Sequence, residues 1–312
     1  MRSIPIFVAA IAGVSCSGDA QRGSAATKAP AGGATAFSGS AALNYAQAQF
    51  DFGPRVPGTP AAQRAGDWII GQMRSRADTV IVQSWTHTTA TGKKLPMRNI
   101  LARFRPDLAE RVLYVTHWDS PPRSDGASSD ADRKLPVPGA NDGASGVGLF
   151  VALGDVFKKQ KPTVGVDLLF VDGEDYGEFG PPEVDVLIGS TYFASHLPSP
   201  DYKPLFGVVW DMIGDADLRI PYETHSFQRA PEVVARVWQT AADLGYSGVF
   251  VQESGGPVTD DHIPLLNAGL RVIDVIDLTY VPHHTPQDTM DKISAKSLAV
   301  VGDVATALVT RP

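Results

Sequence analysis

Residues 166–175 read VDLLFVDGED, an apolar run that passes directly into a cluster of acidic side chains. An apolar run of this length predicts a strand that is buried on both faces, as in a parallel sheet covered by helices. The acidic cluster contains Glu174 and Asp175, whose carboxylates are suited to acid–base or metal chemistry. The stretch therefore predicts an α/β fold with reactive groups at the end of a central strand.

Two other apolar runs end in the same way. Residues 112–116 precede His117 and Asp119, and residues 206–210 precede Asp211. Because open α/β sheets bind their ligands beyond the carboxyl ends of the strands, we expect these polar groups to converge in one site. Helix-like segments alternate with the runs, at residues 41–50, 61–76, 143–157, 231–244 and 295–308. The pattern predicts one α/β domain with a mixed, mostly parallel sheet flanked by helices.

Composition limits the classes of partner. Apolar residues make up 43% of the 312 residues and charged residues 20%, a balance that supports a packed core. The formal net charge is -7 at pH 7, and no long cluster of lysine and arginine interrupts it. A chain without a basic surface lacks the field that binds phosphate backbones, so we expect no nucleic-acid partner.

The amino-terminal residues predict export. Residues 1–15 combine a charged start, an apolar run and small residues, as in a signal peptide, and residues 16–38 form a low-complexity tether before a catalytic domain at 39–312. Cys16 is the only cysteine. One interpretation is a lipidated cysteine, which would attach a periplasmic or cell-surface protein to a membrane, and the other is a passive cysteine in a secreted protein.

The reactive residues have a composition that suits zinc. Carboxylates and imidazoles form mixed N/O ligand sets, and the single cysteine excludes a thiolate site. Of the adjacent Glu174 and Asp175, one can bind the metal while the other moves protons. Structural alternatives exist for Asp142 and Asp260 as helix caps. The candidates outside the three strand ends are Asp142, His283 and His284.

The order of these motifs resembles the M28 zinc peptidase superfamily. The motifs are His-x-Asp-Ser from His117, Asp-Gly-x-Ser-Gly from Asp142, Asp-Gly-Glu-Asp from Asp172, Asp-Met-Ile-Gly from Asp211 and His-Thr-Pro-x-Asp-Thr from His284. The resemblance implies a zinc-exopeptidase fold. In a dinuclear aminopeptidase it makes Asp142 the bridging ligand, with Asp175 and His284 at one zinc and His117 and Asp211 at the other. It makes Glu174 the general base.

Four further segments resemble the glutaminyl-peptide cyclotransferase branch of that superfamily. They are residues 52–58, 120–137, 185–190 and 260–264. This branch implies one zinc, held by Asp142, Asp175 and His284. It implies that Glu174 carries a proton while Asp211 and Asp260 hold the amino group of a peptide substrate, with pyroglutamate and ammonia as products.

Two residues depart from the cyclase pattern. Asp175 stands where cyclases usually have glutamate, and His283 stands where they usually have tryptophan. The segment that follows His284 is closer to the peptidase form. Because the four segments above still favour the cyclase branch, we expect a cyclase, with a dinuclear aminopeptidase and an inactive binding module on the same fold as alternatives. The remaining histidines, His87, His196, His225 and His262, are interpreted as structural.

Overall fold

The computed structural model describes residues 37–310. The strands in this range are β1 (Thr79–Thr88), β2 (Lys94–Phe104), β3 (Arg111–His117), β4 (Gly165–Val171), β5 (Phe206–Asp211), β6 (Ile220–Glu223), β7 (Phe250–Gly256) and β8 (Val272–Ile276). The helices are α1 (Gly39–Phe50), α2 (Pro60–Arg74), α3 (Ala144–Lys159), α4 (Ile188–Ser195), α5 (Thr224–Arg229), α6 (Pro231–Asp243), α7 (His262–Asn267) and α8 (Ala295–Thr310).

Six strands form the central sheet, in the order β1-β2-β4-β3-β5-β8. The pairs β4–β3, β3–β5 and β5–β8 are parallel, whereas β1–β2 and β2–β4 are antiparallel. The predicted class, a single α/β domain with a mixed and mostly parallel sheet, is confirmed. Every residue of β3, β4 and β5 is buried, as their apolar runs predict.

The antiparallel pair β1–β2 is absent from the sequence prediction. Strand β1 lies at the sheet edge and alternates between exposed and partly buried residues, so it has no continuous apolar run. Strand β2 carries Lys94 and Pro96 before its buried half begins. The two strands form a hairpin of ten residue pairs, which extends the sheet on the side away from β5.

The first turns of helix α3 pack against the sheet beside the site. Thirteen of its residues are buried, and its first turns contact the ends of β3 and β5. A Cβ atom at Gly146 would overlap the Thr116 hydroxyl and lie 2.9 Å from the Trp210 carbonyl oxygen. The glycine therefore permits the close approach of α3 to the strand ends.

The described part of the chain begins with a packed residue. Phe37 is buried, with its ring where a side chain at Gly302 would lie, and the Ser38 hydroxyl accepts a hydrogen bond from the Ala41 amide at the start of α1. The predicted signal peptide and residues 16–36 of the predicted tether lie outside the described residues. Between residues 37 and 310, each helix is too short or too polar to cross a membrane.

Candidate active site

The ends of β3 and β5 and the turn before α3 bring three reactive side chains together. The Nε2 atom of His117 lies 3.0 Å from Asp211 Oδ1 and 3.1 Å from Asp142 Oδ1. All three side chains are buried or nearly so. The structure thus places His117 and Asp211 at the carboxyl ends of adjacent strands, where the strand pattern predicts a site, and adds Asp142 from the turn before α3.

His284 approaches the same site from the loop after β8. Its Nε2 atom lies 3.0 Å from Asp175 Oδ1 and 3.6 Å from Asp142 Oδ2. Its backbone φ is +53°, in the left-handed region that non-glycine residues adopt at a cost of about 1–2 kcal/mol. Asp142 therefore lies between two imidazoles, His117 on one side and His284 on the other.

The Asp142 carboxylate does not cap α3. The N-cap is Gly143, with φ +93°, and no side chain caps it. Instead, the amides of Asn141 and Asp142 donate to the two carboxylate oxygens of Asp288, at 2.8 and 3.1 Å. The Asp142 side chain is therefore free to face the site, and the helix-cap alternative does not describe it.

The turn after β4 is fixed by Asp119. Its carboxylate oxygens accept hydrogen bonds from the amides of Glu174 and Asp175, at 3.1 and 3.3 Å. A carboxylate that holds two consecutive amides sets the direction of both side chains. This contact gives a role to the aspartate of the His-x-Asp-Ser motif: Asp119, two residues after His117, holds the turn that carries Glu174 and Asp175.

The site concentrates negative charge away from water. Burial, with Asp175 as the next cause, raises the pKa of Glu174 well above its usual value. Burial and Asp142 raise the pKa of Asp175 to about 6. Burial alone lowers the pKa of His117, but Asp211 and hydrogen bonds to neighbouring carboxylates outweigh it and raise this pKa well above its usual value. The carboxylates therefore favour a positive partner between them.

The donor atoms fit a zinc ion. Among the described residues, three groups at this site each bring three donors within 4.8 Å: His117, Asp142 and Asp211; His117, Glu174 and Asp175; and Asp142, His283 and His284. His117 Nδ1, Asp142 Oδ2 and Asp175 Oδ2 are buried without a hydrogen-bond partner. Buried imidazole and carboxylate atoms without partners form the mixed N/O set that zinc accepts.

The site opens into a cavity of about 670 Å³. Glu174, Asp211 and Asp260 face it together, which places three carboxylates beside the candidate metal ligands. Asp260 is buried and its side chain does not cap α7, whose N-cap is Asp261. Apolar side chains form much of the remaining wall, among them Phe179, Met212, Val258, Ile276 and Leu278.

His283 lies at the mouth of this cavity. Its side chain is exposed, and its ring centroid lies 4.0 Å from that of His284, with 36° between the planes. Reduced hydration of the ring against its neighbours, followed by the effect of His284, lowers the pKa of His283, which favours the neutral imidazole. The residue that replaces the usual tryptophan is therefore a flat polar ring packed on a candidate ligand.

Sequence reasoning missed two carboxylates that support the ligands. Asp125 Oδ1 lies 2.7 Å from His284 Nδ1, and Asp288 holds the segment that carries Asp142 while accepting a hydrogen bond from the Tyr280 hydroxyl at 2.6 Å. Asp288 is part of the His-Thr-Pro-x-Asp-Thr motif, so the motif signalled it without giving its role. Asp125 lies in a polar loop that carries no such signal.

His262, which the sequence analysis interprets as structural, lies among buried carboxylates. Its ring is completely buried, and its Nε2 atom lies 3.2 Å from Glu223 Oε2. Donor atoms of Asp260, His262 and Asp274 lie within 4.8 Å of one another. Asp260 and His262 are neighbours in the segment 260–264, but the sequence could not show that Asp274 of β8 lies against them.

The fold and the donor set are those of a metal-dependent enzyme with an α/β sheet. The model of peptidase family M28 matches residues 99–309, and the chain belongs to this family. A solved glutaminyl cyclase of Porphyromonas gingivalis is 36% identical, with a TM-score of 0.84, and the match covers 87% of this chain and 97% of that chain.

Relatives from both branches resemble the chain. A solved leucine aminopeptidase precursor from Bacteroides thetaiotaomicron is 30% identical, with a TM-score of 0.86, and the match covers 89% of this chain and 99% of that one. A glutaminyl-peptide cyclotransferase-like protein of Mus musculus is 29% identical over 67% of this chain. The chain spans 59% of that mouse relative, and 39% to 40% of the length of two other curated relatives.

Proposed function

We propose that the chain is a zinc-dependent glutaminyl-peptide cyclotransferase, which converts an amino-terminal glutamine of a peptide into pyroglutamate and releases ammonia. The observation that carries this proposal is the position of Asp260 in the same cavity as Glu174 and Asp211. Three buried carboxylates around one cavity suit a substrate whose free amino group must be both held and deprotonated. The likeness to solved glutaminyl cyclases supports the same reading.

Asp142, Asp175 and His284 would hold the zinc ion. When bound, zinc supplies a Lewis acid that polarises the side-chain amide carbonyl of the glutamine. Burial and the adjacent Asp142 raise the pKa of Asp175, and a bound cation would offset the repulsion between the two carboxylates. The family and the N/O donor set support zinc, and the proposed mechanism requires one ion.

Glu174 is the proton carrier in this mechanism. The substrate's α-amino nitrogen attacks the side-chain amide carbon, so a ring C–N bond forms and the bond from that carbon to the amide nitrogen breaks. Glu174 takes a proton from the attacking amine and delivers it to the departing nitrogen, which leaves as ammonia. Burial, with Asp175 as the next cause, raises the pKa of Glu174, which helps this carboxyl group to hold the proton between the two transfers.

Asp211 and Asp260 hold the amino group. Their carboxylates lie beside the cavity, and each can accept a hydrogen bond from an ammonium or amine. His117 lies 3.0 Å from Asp211, so its ring restricts that carboxylate to one orientation. A held amine needs little reorganisation to reach the amide carbon, which is the positional part of the catalysis.

A dinuclear aminopeptidase is the second candidate. His117, Asp142 and Asp211 bring three donors within 4.8 Å, a set that also suits a second zinc ion. In that enzyme Glu174 would activate water, and the first peptide bond would be hydrolysed. The likeness to the leucine aminopeptidase precursor supports this candidate.

Product mass separates the candidates. Purified protein with zinc is incubated with a peptide that begins with glutamine, and the products are weighed by mass spectrometry. Loss of ammonia from a peptide of unchanged chain length is the expected result. Release of free glutamine instead would contradict the cyclase proposal and favour the aminopeptidase. If peptides of several sequences remain unchanged, only the binding-module alternative is left.

A further inference from the structure

His283 and His284 present two imidazoles to the same carboxylate. One donor atom from each of Asp142, His283 and His284 lies within 4.8 Å of the other two. The mechanism above uses Asp142 and His284 as zinc ligands and gives His283 no role, although its side chain lines the same cavity. The His283 imidazole is therefore a donor beside the candidate zinc site whose task is unassigned.

The backbone brings these two consecutive side chains together. In an extended segment, neighbouring side chains point to opposite sides. Here the His283 amide donates to the Tyr280 carbonyl oxygen at 3.2 Å, which forms one turn. The Thr285 amide donates to the Pro282 carbonyl oxygen at 3.1 Å, which forms a second turn that overlaps the first. With His284 at φ +53°, the turns place the two rings side by side, with centroids 4.0 Å apart.

The two rings differ in how firmly they are held. The Nδ1 atom of His284 lies 2.7 Å from Asp125 Oδ1, and its Nε2 atom lies 3.0 Å from Asp175 Oδ1. Among residues 37–310, the His283 ring contacts the His284 ring but has no hydrogen-bond partner, and its side chain is exposed. His284 is thus a fixed donor, whereas the His283 ring is free to change rotamer.

Zinc chemistry leaves a place for this donor. Zinc is usually four-coordinate in proteins, and a catalytic site with three protein ligands leaves its fourth position open. The ligand atoms of one tetrahedral zinc ion lie about 3.4 Å apart, so a shift of about 1.4 Å brings the His283 donor from at most 4.8 Å to that separation. Imidazole is a common zinc ligand, whereas the tryptophan that is usual at this position in cyclases offers only an N–H donor.

We propose that His283 is an exchangeable fourth ligand of the zinc ion held by Asp142, Asp175 and His284. Its imidazole binds the ion while the cavity is free of peptide, and it leaves when a substrate takes that position. This inference rests on the zinc site of the proposed function. His283 should therefore tighten zinc binding and compete with any added ligand that needs the open position. A ring that only packs on His284 would have neither effect.

The test compares H283F and H196F with the wild-type zinc protein. Phenylalanine keeps an aromatic ring beside His284 but has no lone pair for a metal. H196F is the matched control, because His196 is exposed, its ring stacks on Tyr192 with centroids 4.0 Å apart, and it lies outside the cavity lining. X-ray absorption at the zinc edge counts the bound imidazoles. Chelator competition gives the zinc affinity, and titration with free imidazole gives the affinity for an added ligand.

H283F is expected to bind one imidazole fewer per chain than the wild type. Its zinc affinity should fall by about 10-fold, and free imidazole should bind it about 10-fold more tightly, as expected if His283 occupies the open position about nine-tenths of the time. The two factors should agree, because both measure how strongly His283 competes for the same position. H196F should match the wild type in all three measurements.

Equal imidazole counts in H283F and the wild type would overturn the proposal. A loss of zinc affinity without tighter binding of imidazole would also overturn it, because that result indicates a damaged site instead of a vacated position. If H283F does not fold, H283A gives the same comparison. None of these measurements needs turnover, and the expected loss of one imidazole per chain is the same for one zinc ion or two. Release of free glutamine by the wild type would therefore contradict the cyclase proposal alone.

Discussion

The Nδ1 atom of His284 lies 2.7 Å from Oδ1 of Asp125, a residue 159 positions earlier in the chain. The Asp125 carboxylate faces the Nδ1 atom of His284, while the Nε2 atom of the same ring points toward Asp142 and Asp175. A carboxylate in this position fixes the tautomer of a metal-binding histidine and makes its free nitrogen a better ligand. His284 in return lowers the pKa of Asp125.

Replacing Asp125 by alanine should weaken zinc binding by about 10- to 100-fold, the usual effect of removing such a partner. Chelator competition at constant pH measures the change. D130A is the matched control, because the Asp130 side chain lies in the same segment and is 95% exposed. Equal zinc affinity in D125A and D130A would show that Asp125 does not support the ligand.

Replacing Glu174 by glutamine should abolish proton transfer while leaving the zinc ligands in place. Turnover is expected to fall by about 100- to 10,000-fold, the range for loss of a general acid–base group. Zinc content should remain that of the wild-type protein. E178Q provides the control, because Glu178 lies four residues after Glu174 in the same loop. Its side chain is exposed and paired with Arg123. Full activity in E174Q would remove Glu174 as the proton carrier.

Replacing Asp211 by asparagine distinguishes one zinc from two. In the cyclase, D211N should retain one zinc per chain and lose about 10- to 100-fold in kcat/KM, equivalent to a charged hydrogen bond of about 1.5–3 kcal/mol. Metal analysis after gel filtration gives the count. A wild-type protein with two required ions, one of which D211N loses, would instead indicate that His117 and Asp211 bind metal.

Replacing His283 by tryptophan should improve peptide binding. The ring at this position packs on His284 and borders an apolar cavity wall, and an indole adds apolar surface there. We expect KM to fall by about 2- to 10-fold for peptides with an apolar second residue and to change less with glycine in that place. An unchanged KM for both peptides would place residue 283 outside the substrate contacts.

Glu223 should make stability depend on pH. Burial alone raises its pKa, but the adjacent His262 ring and hydrogen bonds from the Ser226 and His225 amides lower it to about 2, below the ordinary 4.5. A folded-state pKa below the unfolded value means that the carboxylate stabilises the fold above about pH 4.5, and that this contribution is lost as the pH falls toward 2.

E223Q should therefore lower the unfolding free energy by about 2–3 kcal/mol at pH 7, with a smaller difference below pH 4. Urea denaturation of the metal-free proteins measures it without a contribution from zinc. E253Q, which removes one partner of the surface pair with Arg219, should cost less than about 1 kcal/mol. A difference between E223Q and wild type that does not change with pH would contradict the assignment.

The sequence predicts the centre of the fold better than its edges. Strands β3, β4 and β5 are continuous apolar runs, so burial leaves few alternatives for them. Strand β1 alternates in exposure at the sheet edge, and its pairing with β2 depends on contacts that a local pattern does not contain. The same distinction applies to the site.

Residues at strand ends, such as His117 and Asp211, are predictable because sheet geometry alone brings them together. Asp125 and His262 are not, because their importance depends on which distant loop or strand lies against them. An aspartate in a polar loop and a single histidine carry no local signal. The supporting contacts of the site therefore become visible only in three dimensions.

The contact between residues 125–126, in the loop after β3, and residues 283–284, in the loop after β8, also determines when the site can form. The Gly126 amide donates to the His284 carbonyl oxygen at 3.0 Å, and a side chain on Gly126 would lie 2.7 Å from the His283 carbonyl oxygen. Such a contact between segments so far apart in sequence closes a very long loop, which makes it slow to form. During synthesis, His284 can meet Asp125, Asp142 and Asp175 only after residue 284 has been made. The candidate ligand set is therefore completed by the last of its members in the sequence.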